Sequence, residues 1–387
     1  KGNGGSEKTK FEFGVTYINR DLTTIPTGQG DDAGTGAILY ADILYQPINH
    51  YLPDYRDYKG DFDNLDNYYN GYAQNPYFTI NETKGEAIQN RVMANLNVRH
   101  NILEGFDVSW TAGLDTYSRF SKVRGAIAKI TPGANNAGTI NDVMGGVKEE
   151  GRYHTAMNSD LIVTYANELD LGIGNLKYDI LLGNNINQRS YKRLNVISKG
   201  LVVPDYYNVG NISGSAEVYT RESKRRLVGL YGQIGLELND YLFLTLQVRN
   251  DWSSTLVNTA SKSFFYPSVG LTGILSEMFE MPEAITFVKL RASYAQVGKD
   301  ILAYATVPLN SIPVGQTNFA KPTFGIKEGE TLEPEKQNSF EIGTEWRFIN
   351  NRLSFDLTYY NTKTTNQIFF ITAEPNVQGY SQNIVNA

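Results

Sequence analysis

Apolar and polar side chains alternate along this chain in runs of strand length. From Asn90 to Asn101, Val92, Ala94, Leu96 and Val98 point one way, while Arg91, Asn95, Asn97 and Arg99 point the other. A strand sends successive side chains to opposite faces, so this run has one greasy face and one wet face. Lys10–Asn19 repeats the pattern, with Phe11, Phe13, Val15 and Tyr17 against Lys10, Glu12, Gly14 and Thr16. Phe106–Thr116 follows a short turn near Asn101–Gly105, and Tyr153–Tyr165 pairs with Leu176–Gln188. The clearest hairpin joins Val228–Leu238 to Leu242–Val248 through Asn239 and Asp240, residue types that tolerate positive φ. Phe265–Leu275 pairs with Phe287–Tyr294 across one helical turn at Ser276–Pro282, and Phe340–Phe348 pairs with Leu353–Tyr359 across Asn350 and Asn351. About eleven strands are expected on this pattern. Long polar segments at about 20–86, 121–151 and 189–221 separate the hairpins, and the tail Asn383–Ala387 carries no strand signal.

Short turns on one rim and long loops on the other are the pattern of an outer-membrane β-barrel. Soluble sandwiches alternate too, but their strands are usually about five or six residues long. Many runs here reach the roughly nine to eleven residues that cross a bilayer at a tilt. The expected fold is therefore all-β, an antiparallel transmembrane β-barrel. Open edges are not tolerated in lipid, so eleven strands without a closing segment are expected to be the central portion of a larger barrel, residues 1–387.

Composition narrows the function. The net charge is −6 and no basic stripe is present to neutralise phosphates, so nucleic acid is not expected as a partner. The absence of Cys excludes disulfides, thiolate metal sites and Cys nucleophiles. Mean hydropathy is −0.36 and no run of roughly 18 apolar residues exists, so no transmembrane helix is expected. Barrel strands, half apolar, escape such a test. No secretory signal opens the chain, which reads as processing or as an interior piece of a longer protein.

Catalysis has little support. The three histidines, His50, His100 and His154, are far apart without ligand spacing, and no Walker loop, nucleophile elbow or HExxH occurs. The acidic run Asp61–Asp66 departs from a calcium loop, because Leu65 takes the fifth position and no Gly follows. It reads as a solvated loop, and neither metal nor cofactor is expected. The best ligand candidate is the Tyr-rich stretch holding Tyr51, Tyr55, Tyr58, Tyr68, Tyr69, Tyr72 and Tyr77, interleaved with Asp54, Asp57, Asp61 and Asn67. Flat rings stack on sugars or peptide groups, and acids and amides supply hydrogen bonds. The competing role is packing against neighbouring loops or a partner. Lys289, Arg291, Glu341, Glu345 and Arg347 fall on the wet phase of their strands, where they would bond to one another or to a plug.

Several runs carry a family resemblance. They are Asn75–Phe78 (NPYF), Arg249–Ser254 (RNDWSS), Ser263–Leu271 (SFFYPSVGL), Val288–Gly298 (VKLRASYAQVG), Leu332–Lys336 (LEPEK) with Ser339–Gly343, and Asn350–Asn361 (NNRLSFDLTYYN). Together they resemble the SusC/RagA family of TonB-dependent outer-membrane transporters of Bacteroidetes, over about residues 75–361.

The resemblance implies a large plugged barrel, of which the 22-stranded transporters are the reference, with the N-terminal plug and closing strands absent from these residues. It implies import of a glycan or peptide across the outer membrane, powered through TonB, beneath a SusD-like surface lipoprotein that acts as a lid. No bond would be broken, so the protein is not expected to be an enzyme. The Tyr51–Tyr77 loop would contribute to substrate binding and lid docking. The alternatives are a soluble or surface β-rich glycan-binding module, or a passive porin.

Overall fold

The computed structural model describes residues 1–24, 39–70, 73–139, 142–172, 174–259, 261–307, 324–326, 331–372 and 382–387. Twelve strands pair in one antiparallel meander. They are β1 (Gly2–Gly5), β2 (Thr9–Thr24), β3 (Thr83–Leu103), β4 (Phe106–Ala128), β5 (Val143–Asp170), β6 (Asn175–Lys199), β7 (Glu217–Leu238), β8 (Leu242–Ser253), β9 (Ser263–Ile274), β10 (Ile285–Lys299), then β12 (Glu335–Phe348) and β13 (Leu353–Thr365). A second sheet, in the order β11–β15–β14, is built from β11 (Phe324–Ile326), β14 (Ile368–Thr372) and β15 (Gln382–Asn386). Helices α1 (Leu39–Leu44) and α2 (Pro76–Glu82) lie between β2 and β3. Helix α3 (Leu275–Met278) fills the β9–β10 turn, where a helical turn was expected.

The register keeps the two faces apart across the whole sheet. On one face, Ile180 pairs with Ile234, Ile234 with Leu246, Leu246 with Val269, Val269 with Tyr294, and Tyr294 with Phe340. The other face of the same rows holds Gln233 opposite Gln247 and Gln247 opposite Ser268. The apolar belt has aromatic borders: Trp346, Phe348 and Phe355 stack within 6.2 Å near the short turns, and Trp252 and Phe265 stand exposed toward the other rim. This is the outer face of a membrane barrel.

Turns explain the short rim. The Leu238 carbonyl accepts from the Tyr241 amide at 3.1 Å, and Asn239 and Asp240 between them have φ of 51° and 60°, the hairpin geometry that those residue types favour.

The structure differs from expectation in three places. The strands run well past the membrane: β5 has 28 residues and β6 has 25, so the loops expected at 121–151 and 189–221 shrink to the segments 129–142 and 200–216. Outside lipid both faces mix polar and apolar residues, as in Tyr191–Lys199, where Tyr191 and Ile197 share one face with Arg193 and Asn195 while Leu194 and Val196 share the other with Lys192 and Ser198, so the division into a greasy and a wet face is lost. The Gly-rich start is strand β1, paired with β2, which adds the twelfth strand. The tail forms β15, whose weak sequence signal is supplemented by pairing on both edges. Most of the sheet is not buried, because one face meets lipid and the other the lumen, and its buried side chains, such as Val147 and Val288, are few among the described residues. Buried residues gather instead at the long-loop rim, where Leu256, Phe264, Ile301, Ala305, Leu332 and Ile384 cluster.

Candidate functional site

The Tyr-rich stretch folds into a small unit on the long-loop rim. Asn75 organises it. Its Oδ1 caps α2 by accepting from the Tyr77 amide at 2.9 Å, and its Nδ2 donates to the carbonyls of Tyr55 and Asp63 at 2.8 and 3.0 Å. Pro76 follows at the first helical position, where its missing N–H costs nothing. Asp42, at the C-terminal side of α1, accepts from the Gln74 amide at 3.2 Å and the Thr79 hydroxyl at 2.6 Å. Burial pushes its carboxyl up to about 6, against the lowering effect of those two bonds. Asn136 of the β4–β5 loop clamps the unit from outside, donating from Nδ2 to the carbonyls of Leu65 and Tyr68, both at 2.9 Å.

The tyrosines divide by exposure. Tyr55, Tyr68, Tyr69 and His50 form one ring cluster: His50 stacks on Tyr69 at 4.2 Å, Tyr55 lies 5.6 Å from Tyr68, and Tyr68 lies 4.8 Å from Tyr69. Tyr68 is 1% exposed and accepts from Gln46 Nε2 at 2.6 Å, so it packs the unit and offers no face to a solute. Tyr58 donates to Glu82 at 2.8 Å and abuts Phe78 edge-on. Tyr55 and Tyr77 are half-buried, whereas Tyr51 is 69% exposed and Tyr69, with one face covered by His50, is 37% exposed. Tyr72 lies outside the described residues. The acids Asp61, Asp63 and Asp66 do not converge: Asp66 accepts from the Thr131 amide at 2.7 Å. Among the described residues, no three His, Cys, Asp or Glu side chains are grouped to hold a metal.

The wet face of the sheet is a field of paired charges. Arg91 makes a bidentate contact to Asp115 at 2.7 and 2.5 Å, Arg249 pairs with Asp251 at 2.8 Å, and Glu150 is held between Arg152 and Arg193. Of the five charges expected on the wet phase, Arg347 bonds Glu345 at 2.7 Å, and Arg291 lies 3.8 Å from Glu341. Arg291 also crosses β12 to reach Asp356 on β13, at 2.9 and 2.8 Å. It passes over Gly343, where a Cβ would sit 2.6 Å from its Nε. Tyr231 crosses Gly183 in the same manner, toward Asp160.

Where this face reaches the long-loop rim, the sequence motifs converge on Asp300, which the sequence reading did not single out. Arg225 donates twice to it, at 2.9 and 2.7 Å, and Ser253 and Thr255 add hydroxyls at 2.5 and 2.9 Å. Ser253 belongs to the RNDWSS run, and Asp300 follows the VKLRASYAQVG run by two residues. Glu335, from the LEPEK run, holds Lys299 at 3.1 Å, while Leu332 of that run enters the rim core. A polar residue placed just after a strand-end motif was the only available signal. Beside Asp300 lies a cavity of about 600 Å³. His154 lines it and stacks on Tyr117 at 5.2 Å.

Comparison with known proteins places this geometry. The family described as TonB dependent receptor-like, beta-barrel matches residues 34–387. TonB-dependent receptor P26 of Formosa agariphila is 30% identical over 193 residues, 47% of this chain and 19% of that protein. Among solved structures, the RagAB peptide importer in its open-open state superposes with a TM-score of 0.76 at 16% identity, over 98% of this chain and 40% of that one. Its closed-closed state gives 0.74 at 14% identity, over 99% and 41%.

Proposed function

This chain belongs to the TonB dependent receptor-like, beta-barrel family, and from that premise we propose that it is the central barrel portion of an importer that passes peptides across the outer membrane. The family sits in the outer membrane and its members are transporters, so the soluble glycan-binding alternative falls away. The chain spans 40% of the RagAB importer chain on which it superposes, and its sheet has edges at β1 and β13 that do not pair with each other among the described residues. A plug and further strands supplied by the rest of a longer protein fit both facts.

One observation carries the reading. The sheet separates a largely apolar belt from a wall of ion pairs, with folded loop units gathered on one rim. That is the arrangement of a polar passage through lipid, gated at its outer mouth. In this reading TonB supplies the energy through the plug, and a SusD-like lipoprotein closes over the rim. Tyr51 and Tyr69, the rim tyrosines with open faces, contact the solute or the lid. Peptide is favoured over glycan by the fold shared with a peptide importer.

The test is to isolate the full-length protein from outer membranes in mild detergent, identify co-purifying chains by mass spectrometry, and follow uptake of a labelled oligopeptide mixture in cells with and without TonB. A lipoprotein partner and TonB-dependent uptake are expected. Uptake that persists without TonB would favour the passive porin.

A further inference from the structure

The cavity beside Asp300 has an unbalanced charge. Arg225 is matched by Asp300 at 2.7 Å and Lys299 by Glu335 at 3.1 Å. Arg189, on β6, faces the same cavity and lies directly opposite Arg225 in the β6–β7 register. Among the described residues, no acid or carbonyl accepts from Arg189. Two guanidinium groups thus stand side by side, one satisfied and one with its five donors free, on a chain whose net charge is −6. The Nδ1 of His154, in the same wall, also lacks a partner. Across the cavity the lining turns apolar, with Ile301, Leu302, Ile368 and Phe370. Leu302 is 72% exposed, while Ile301 belongs to the rim core and Ile368 packs against it, so Leu302 is the part of this wall that meets an occupant.

Resting on the importer reading above, we propose that Arg189 captures the C-terminal carboxylate of an incoming peptide while the apolar wall receives the adjoining side chain. A planar fork binds a carboxylate through two parallel hydrogen bonds, and an anion there relieves the repulsion between Arg189 and Arg225. An acidic sugar answers the same charge but leaves the exposed Leu302 side chain facing hydroxyl groups.

The experiment uses the full-length transporter in detergent, with its lipoprotein partner if one co-purifies. The probes are an N-terminally labelled apolar tetrapeptide with a free C-terminal carboxylate, the same peptide amidated, and a labelled uronic-acid trisaccharide. Fluorescence anisotropy should show the free acid binding roughly tenfold tighter than the amide, the worth of one charge-assisted pair. Arg189→Gln should erase that difference, and Arg189→Lys should restore part of it. Because no acid or carbonyl accepts from Arg189 among the described residues, heat-modifiable migration on gels should be unchanged in both variants. Equal binding of acid and amide by the unaltered protein would overturn the proposal, as it would if a carboxylate from elsewhere in the longer chain already filled the site. Tighter binding of the trisaccharide, lost in Arg189→Gln, would also overturn it, in favour of a glycan site. Failure of the importer reading is separate: TonB-independent uptake of both peptide forms would mark it, whatever Arg189 does to binding.

Discussion

Single side chains decide here which solvent a strand face meets. Leu246 sits in the apolar belt between Ile234 and Val269, whereas Gln247 donates to Gln233 on the wet face at 2.7 Å. Leu246→Arg should cost about 2–4 kcal/mol of barrel stability, the depth-dependent penalty for a cation near mid-bilayer, and Gln247→Arg should be mild. Urea unfolding in lipid vesicles checks the pair, and equal effects would remove the register described above. Asp300 is a different kind of residue, 8% exposed at its side chain and the acceptor for three others. Asp300→Ala leaves Arg225 unpaired and leaves the Ser253 and Thr255 hydroxyls only each other as partners, and should loosen the rim by about 3 kcal/mol. Hydrogen exchange around Leu256 and Leu332 should rise sharply, while exchange in β3 and β4 stays unchanged.

At the scale of elements, turns and small units carry the strain and the titration. Ile349 has φ of 51° between β12 and β13, a left-handed conformation that a β-branched side chain resists. Asn350 and Asn351 beside it have φ of 52° and 65°, and Asn accepts that region. Ile349→Asn should therefore stabilise by about 1 kcal/mol, read as a higher unfolding midpoint. The rim unit built on α1 and α2 responds to acid through Asp42. Its carboxyl is raised by burial from 3.8 to about 6 in the folded unit, so below that pH the folded form binds a proton that the unfolded form does not. Stability from this group grows as pH falls from above 6 toward 4, by on the order of 2–3 kcal/mol, and is lost as pH rises. Glu82 is shifted the other way: burial raises it, but its bonds to Lys59 and Tyr58 outweigh burial and hold it low, so its contribution fades only in more acidic solution. Limited proteolysis of residues 39–82 should slow between pH 7 and pH 5, and Asp42→Asn should flatten that dependence.

For the whole molecule, the division of long loops from short turns predicts sidedness. The chain has no Cys, so single substitutions report cleanly. Phe62 is 86% exposed on the rim unit, and the Asp240 side chain is 75% exposed at a short turn. Phe62→Cys should react with a membrane-impermeant maleimide on intact cells, and Asp240→Cys only after the outer membrane is opened. The reverse labelling would invert the barrel.

The existence of the long strands β2–β10, β12 and β13, their hairpin pairing and the lipid face were legible in the sequence, because a period of two is a local property that one chain segment writes by itself, whereas the short β1 and β15 depend on the edges they pair with. The hairpin turns were legible too, since Asn239, Asp240, Asn350 and Asn351 carry their own backbone preference. Strand ends were not: beyond the bilayer both faces of β5 and β6 meet water, and although Tyr191, Val196 and Ile197 favour strand, no one-sided apolar face marks Tyr191–Lys199 as one. The tyrosines of residues 51–77 were visible as a cluster, but only folding around Asn75 and Asn136 turned Tyr68 inward and left Tyr51 and Tyr69 outward. Asp300 and Arg189 were hidden for a related reason. Their meaning lies in partners some 45 to 75 residues away, or in the lack of one, and only the strand register of the sheet brings those side chains together.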